Sequence, residues 1–394
     1  MSKLDYPFQK RTPRFVSLLL LLTVASTVDN ARSDTTHKPS GPVIRVLVAE
    51  NQKSLSITTQ GGYLVRSLPG LHEIKKGEKL KSVPVKVSAK GIQWGDEVFS
   101  TAGIRIEPVA PRDLFLNKSR FRGVVDIQKS ADSLIVINRV GIEDYLYGVL
   151  HHEVAPWWPM EALKAQAVAA RTYALYQAQA NRAAPFDLKS STSSQVYGGS
   201  TTERYRTRMS VDQTAGQVLT YQGKLFPAYF HATCAGRTAG AGELWKTQIP
   251  PLAGGVRCGT CRISPHYFWH ARIPLSEIEE LFNKNGRPLG RVLKIEIITQ
   301  TPSGRVGSLR ATGTAGEAVI AAKDFRIWVS GGRMRSTSFT VTVNDDAAEF
   351  HGKGWGHGVG LCQWGALGQS LLGRTYRGVL KFYYPGAEIT DYKD

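Results

Sequence analysis

From residue 43 onward the chain alternates apolar and polar positions in short bursts: VIRVLVAE, SLSITT, GYLVRS, PVKVSA, GIRIEP, RGVVDIQ and SLIVINRV, separated by Gly, Lys, Asp and Pro. Period-two alternation broken by turn residues is the pattern of antiparallel strands, so residues 43–140 are expected to be β-rich. At residue 141 the period changes. In GIEDYLYGVLHHEV, Ile142, Tyr145, Leu146 and Val149 recur at helical spacing, and Pro156 and Pro159 separate this helix from a second one over residues 160–180. Pro159 suits a first turn, where its missing N–H is not needed. Leu163, Ala167, Ala170 and Ala174 give the second helix a stripe of small side chains for close packing, and a solvated helix would leave Tyr173, Leu175 and Tyr176 bare.

Further on, GQVLTYQGKLFPAYFHA reads as a hairpin. Residues 266–343 combine a helix at 275–283 with the strands VLKIEIIT and SFTVTV, the pattern of an inserted α+β lobe. TYRGVLKFYYPGAEI predicts a last helix stopped by Pro385 and Gly386. The fold class is therefore α+β: a β-rich N-terminal region (43–140), a mixed core (141–265) completed by residues 344–394, and the lobe between them.

The 394 residues are 42% hydrophobic and 21% charged, a globular composition, and the formal charge of +18 favours an anionic partner. Location narrows the choice. Lys3, Lys10, Arg11 and Arg14 precede the apolar run FVSLLLLLTVA, which is too short to span a bilayer and is followed by small and polar residues. This order predicts a secretory signal over residues 1–31 and a linker over 32–42. No later run is long enough for a membrane helix. An exported protein of the periplasm or cell envelope is expected, with a wall polymer rather than nucleic acid as its partner.

Glu153 stands at the end of the first helix, where the dipole disfavours negative charge, and beside Trp157 and Trp158, which are expected to desolvate it. Both effects raise a carboxyl pKa toward that of a general acid. The bland alternative is a surface ion pair. Lys164 and Arg171 are two turns apart and share a helix face, and Arg171 is suited to holding a carboxylate or an acidic substrate group with two hydrogen bonds. The glycines of HGKGWGHGVGLCQWGALG do not match a dinucleotide fingerprint; they permit close backbone approach, with His357, Gln363 and Trp364 as sugar-facing candidates, or they form a tight structural turn. His231, Cys234, Cys258 and Cys261, from HATC and CGTC, have zinc-like spacing, with His266 and Cys362 as alternative fourth ligands; disulfides are an equal reading in an exported protein. With no HExxH, zinc chemistry is not expected.

The segments EDYLYGVLHHEVAPWWPMEALKAQAVAARTYALY, SSQVYGG, AYFHATCAGRT and GHGVGLCQWGALG…YRGVLKFYYPGAEI resemble, in this order, the hallmark segments of the stage II sporulation protein D (SpoIID) or amidase-enhancer LytB family. The resemblance implies a lytic transglycosylase that needs no cofactor and acts on peptidoglycan glycan strands, preferably those stripped of stem peptides. A cell-wall amidase is the implied partner. The family's catalytic acid falls on Glu153 and its helix arginine on Arg171, while Ser194, Gln195 and Tyr197 lie in the matching loop as candidate substrate contacts. Metal-binding Cys and His that some relatives carry before QVYGG are absent, and Cys234 and Cys362 stand where Ser is frequent. A transglycosylase of this type needs one carboxylate, whereas an ordinary glycosidase uses two.

Overall fold

The structure is a computed structural model describing residues 41–109, 114–191, 194–245, 247–329 and 331–393. The sequence-predicted secretory signal lies outside these residues. Two antiparallel arrays form the N-terminal region. In the first, Val43–Gln52 lies beside Ser133–Gly141, which pairs with Val124–Ser130, and the sheet continues through Gly103–Pro108 and Tyr63–Leu68 to Glu73–Gly77. In the second, Ser54–Thr59 lies between Leu80–Ser88 and Leu114–Leu116. Alternate residues of both sheets, among them Ile44, Val46, Ile57, Val65, Val85, Ile92, Ile104 and Ile127, point into one shared core. Hydrophobic alternation in the sequence thus maps onto sheet faces that must be covered.

The strand Ser133–Gly141 runs straight into helix α1 (Ile142–Glu153), which buries Ile142, Tyr145, Leu146, Val149 and Leu150. Helix α2 (Met160–Ala180) follows, with every residue from Ala162 to Leu175 buried except Lys164. Such all-round burial explains its weak amphipathicity. Ala167, Ala170 and Ala174 face the core of the β-rich region, while Ala165, Val168 and Ala169 face a second core containing Leu219, Phe226, Leu361, Val379, Leu380 and Tyr383. A helix between two cores needs apolar residues on both sides, and alanines let both approach closely. Helix α3 (Tyr205–Asp212) packs on α1 and α2. The expected hairpin is present as Gln217–Tyr221 with Lys224–Leu225, and Glu388–Asp391 adds a strand on its other edge.

The lobe has its own core, from Trp269 to Phe350, built by two three-stranded sheets and helices α4 (Leu275–Lys284) and α5 (Ala322–Trp328). One boundary differs from expectation. Ala347–Lys353, placed by sequence with the terminal core segment, is the central strand of the lobe sheet, between Phe268–Pro274 and Phe339–Val343. The chain then returns to the second core through Leu361–Cys362, helix α6 (Gln363–Leu371) and helix α7 (Tyr376–Tyr383). Leu361–Cys362 pairs in parallel with Phe230–His231. Among the described residues no helix is long and apolar enough to cross a membrane.

Gly148, in the middle of α1, shows how tightly the elements meet: a Cβ there would lie 2.6 Å from the Tyr197 ring and 2.9 Å from the Gly199 carbonyl. An exposed helical Gly→Ala change gains roughly 0.5–1 kcal/mol. Here overpacking reverses the sign, and Gly148→Ala is expected to lose about 1–3 kcal/mol of stability in urea unfolding.

Candidate active site

Glu153 is the last residue of α1, and it lines a cavity of about 470 Å³ with His152, Tyr173, Ser194, Val196, Tyr229, Phe230, His231, Ala232, Trp245, Trp355, Gly356, His357 and Gln363. It is the one carboxylate among these lining residues. Burial pushes its carboxyl up to about 7, against opposing hydrogen bonds from the Gln363 side chain and the Val196 backbone. The Gln363 amide donates to Oε2 at 3.5 Å, a weak contact, and lies equally far from Gln166 of α2. With no lysine or arginine among the described lining residues, desolvation outweighs these two donors.

The desolvating groups differ from those expected. Trp157 is 64% exposed, and Trp158 packs away from the cavity against Trp364, Leu163 and Leu367. The aromatic wall comes instead from Tyr173 on α2, from Tyr229 and Phe230, and from Trp245 and Trp355. Tyr229 and Trp245 lie against each other with ring centroids 4.5 Å apart and planes tilted by 30°. Sequence reasoning passed over Tyr229, Phe230, Trp245 and Trp355. The aromatics of AYFHATC and GKGWGHG were visible there, but no periodicity marked them as one surface.

Glycines form the opposite side. Gly356 and Gly360 have φ of +103° and +73°, and a Cβ on Gly360 would lie 2.0 Å from the Tyr229 carbonyl. Close approach of the 356–362 and 229–232 segments therefore requires glycine, and it places His231 and His357 side by side with ring centroids 5.4 Å apart. His357 Nε2–H donates to the Phe230 carbonyl at 2.9 Å and its Nδ1 accepts from Val359 N–H at 3.1 Å, which fixes a neutral tautomer. Burial pushes its pKa down to about 4. His231 Nδ1–H donates to the Val359 carbonyl at 3.1 Å, and burial likewise holds this ring neutral. Its Nε2 has no partner among the described residues. His152 is also held below the usual histidine range, by burial and then by Arg204. Glu153 is thus the group in the cavity poised to exchange a proton near neutrality.

The sequence-predicted site residues divide into two sets. Glu153, Ser194, His357, Gln363 and His231 come together around the cavity. Gln195 and Tyr197 do not contact it: Gln195 is fully buried, accepting from Tyr145 Oη at 2.9 Å and donating to the Ala170 carbonyl at 3.3 Å, and Tyr197 donates to Asn138 at 2.9 Å. These bonds fasten the loop to α1, α2 and the first sheet, so that Val196 between them faces Glu153. Lys164 lies outside the cavity, paired with Glu161 at 3.2 Å and over the Tyr376 ring. Trp364 packs against Trp158 and also meets the His266 ring edge-on.

Arg171, expected to hold either a carboxylate or an acidic substrate group, holds a carboxylate of the protein itself and does not line the cavity. It is completely buried, its Nε and Nη2 donate to both carboxylate oxygens of Glu143 at 2.9 and 2.6 Å, and its remaining donors reach the Gln217 and Val211 carbonyls. Glu143 also accepts from Gly216 N–H at 3.0 Å. The fork that made Arg171 suited to an acidic substrate group is thus used on an internal carboxylate, tying α2 to α1, α3 and the strand Gln217–Tyr221. The metal candidates also change: the four sulfurs of Cys234, Cys258, Cys261 and Cys362 gather without His231, which is held by Val359.

Comparison with known proteins finds relatives over most of the chain. A Stage II sporulation protein (SpoIID) family model matches residues 130–221, which carry α1, α2 and the Val196 loop, and a domain of unknown function (DUF8618) matches residues 261–360. An uncharacterized protein of Brachyspira hyodysenteriae is 34% identical over 354 residues, 89% of this chain and 93% of its own length. Stage II sporulation protein D of Bacillus subtilis is 26% identical over 340 residues, 82% of this chain and 90% of its own. The Bacillus subtilis amidase enhancer is 28% identical over 291 residues, 63% of this chain and 40% of its own length. The chain belongs to the stage II sporulation protein D and amidase-enhancer family.

Two stability predictions follow from these contacts. Arg171→Met leaves Glu143 buried without its cation and is expected to lose about 3–5 kcal/mol, much of it recovered in the Arg171→Met/Glu143→Leu double variant, as read by denaturant unfolding. Glu153 binds its proton more tightly in the fold than in the unfolded chain, so its contribution to stability is fully present below the unfolded carboxyl pKa of about 4.3 and is lost as pH rises through about 7. Relative to wild type, Glu153→Gln should therefore gain roughly 2–4 kcal/mol in unfolding free energy between pH 4 and pH 8.

Proposed function

We propose that the protein is a lytic transglycosylase, cleaving the bond between MurNAc and GlcNAc in peptidoglycan glycan strands with formation of 1,6-anhydro-MurNAc. The observation that carries this reading is a single carboxylate, with its pKa pushed up to about 7, on the wall of an aromatic cavity that no second carboxylate lines among the described residues. Hydrolysis by a pair of carboxyl groups needs a partner roughly 5–9.5 Å away to act as nucleophile or to activate water. An intramolecular nucleophile removes that need.

In the proposed reaction, protonated Glu153 gives its proton to the glycosidic oxygen. The bond from that oxygen to muramyl C1 breaks with its electron pair leaving on the oxygen, and positive charge develops at C1. The Glu153 carboxylate then takes the proton of the muramyl C6 hydroxyl, whose oxygen closes onto C1. No water is consumed and Glu153 ends protonated, ready for another cycle. Gln363 and Val196 N–H stabilise the carboxylate formed in between. Aromatic faces of Tyr229 and Trp245 offer apolar surface to pyranose rings. The net charge of +18 and the signal-like N-terminus support an exported protein that works on an anionic wall polymer.

The amidase-enhancer relative supports a second reading, in which the domain binds wall glycan and stimulates a cell-wall amidase while Glu153 is structural. One experiment separates them. On peptide-free glycan strands, wild type is expected to give 1,6-anhydro-MurNAc ends by mass spectrometry, and kcat/KM should fall as pH rises through about 7 because the acid form is lost. Glu153→Gln should release no product while remaining folded. Products with only reducing muramyl ends would overturn the transglycosylase reading; a Glu153→Gln protein that stimulates the amidase as wild type does, with no glycan products from either, would favour the second.

A further inference from the structure

Beneath the cavity wall, Cys234, Cys258, Cys261 and Cys362 place all four sulfurs within 4.8 Å of one another. They arrive from three parts of the chain: the turn after Phe230–His231, the CGTC segment entering the 3-10 turn Thr260–Ile263, and the strand Leu361–Cys362. All four are buried free thiols, and the Sγ atoms of Cys234 and Cys261 are 3.6 Å apart. A tetrahedral ion with metal–sulfur bonds of about 2.3 Å sets its sulfurs about 3.8 Å from one another. The cluster therefore already has the size of a tetrathiolate cage, while a covalent S–S bond of about 2.05 Å would require two pairs to draw together.

An independent feature beside the cluster points the same way. Arg305 is 2% exposed; its Nη2 donates to the Cys234 carbonyl at 2.6 Å, but its Nε and Nη1 have no hydrogen-bond partner among the described residues. A buried guanidinium this poorly satisfied is unfavourable next to neutral thiols or disulfides. Four thiolates around a divalent ion carry a net charge of −2, and Arg305 then offsets part of it. Donors to sulfur are in place as well: Cys234 N–H reaches Cys362 Sγ at 3.3 Å, and Tyr383 Oη lies 2.9 Å from Cys258 Sγ. Hydrogen bonds of this kind orient metal ligands and tune their basicity. At Gly365 a Cβ would lie 2.5 Å from Cys258 Sγ, so α6 can seat its first turn directly on the cluster only with glycine there.

We propose that Cys234, Cys258, Cys261 and Cys362 bind one zinc ion in a closed structural site that fixes two sides of the Glu153 cavity. Four protein sulfurs leave no open position, so the ion takes no part in chemistry. Its effect is mechanical: His231 and Ala232 lie just before Cys234, and Gln363, which donates to Glu153, directly follows Cys362. An exported protein also gains protection for thiols that would otherwise oxidise.

The full chain, purified without added metal or chelator, should contain one zinc per molecule by elemental analysis and show four free thiols once denatured with chelator. Titration of those thiols should release the zinc to a metallochromic dye in step. Exchange with Co²⁺ should give thiolate-to-metal charge-transfer absorption with the strong visible bands of a tetrahedral site. Tyr383→Phe, which keeps all four ligands, should weaken zinc about 10–100-fold in competition with a chelator; Cys362→Ser should lose it. These readouts do not depend on transglycosylase activity. Intact-mass evidence for two disulfides in metal-free protein, iron in place of zinc, or zinc retained by a folded Cys258→Ser/Cys261→Ser variant would overturn the site.

Discussion

The burial of α2 on both sides is the constraint from which the arrangement follows. A helix of mostly alanine gains little from its own side chains, so it is held by what closes over it: the β-rich core on one flank and the second core on the other. Close approach brings polar groups to its backbone and side chains. Gln195 donates to the Ala170 carbonyl, Thr172 accepts from Leu219 N–H, and Gln363 lies near Gln166. The Arg171–Glu143 pair fixes the angle between α2 and α1, and thereby where α1 ends. Glu153 is delivered to the cavity by that end. A rigid scaffold thus positions an acid that depends on a poorly hydrated setting for its raised pKa.

Much of this was legible in the sequence where local spacing carried the information. The 3.6-residue repeat through Val149, with Pro156 and Pro159, delimits α1 and α2, and the helix end marks Glu153 as unusual. What the sequence hid were long-range facts. The direction in which residues 154–159 turn decides that Trp157 faces solvent and Trp158 faces Trp364, and no pattern encodes that turn. For Arg171 the sequence left a carboxylate and an acidic substrate group as equal partners, because the carboxylate it holds, Glu143, lies in a different helix. Gln195 and Tyr197 sit in a polar loop whose composition resembles surface, yet their hydrogen bonds run inward to Tyr145 and Asn138. Helix α6 begins in glycine-rich sequence with poor helix propensity and is held by packing on Thr260 and Tyr383.

The two histidines show how one side chain type is used without its charge. His231 and His357 bridge the segments 229–231 and 357–359 through backbone carbonyls, and each bond commits a ring nitrogen. They behave as rigid neutral spacers between glycine-permitted turns rather than as proton carriers.

That neutrality has a consequence for selection. Although the chain as a whole is strongly cationic, no lysine or arginine is among the described residues that line the cavity, and Arg204 and Arg335 stand one layer back, beside His152 and Trp355. Under the proposed function, the cationic charge would gather an anionic polymer at the surface, and the aromatic faces of the lining, rather than ion pairs, would meet its sugar rings within.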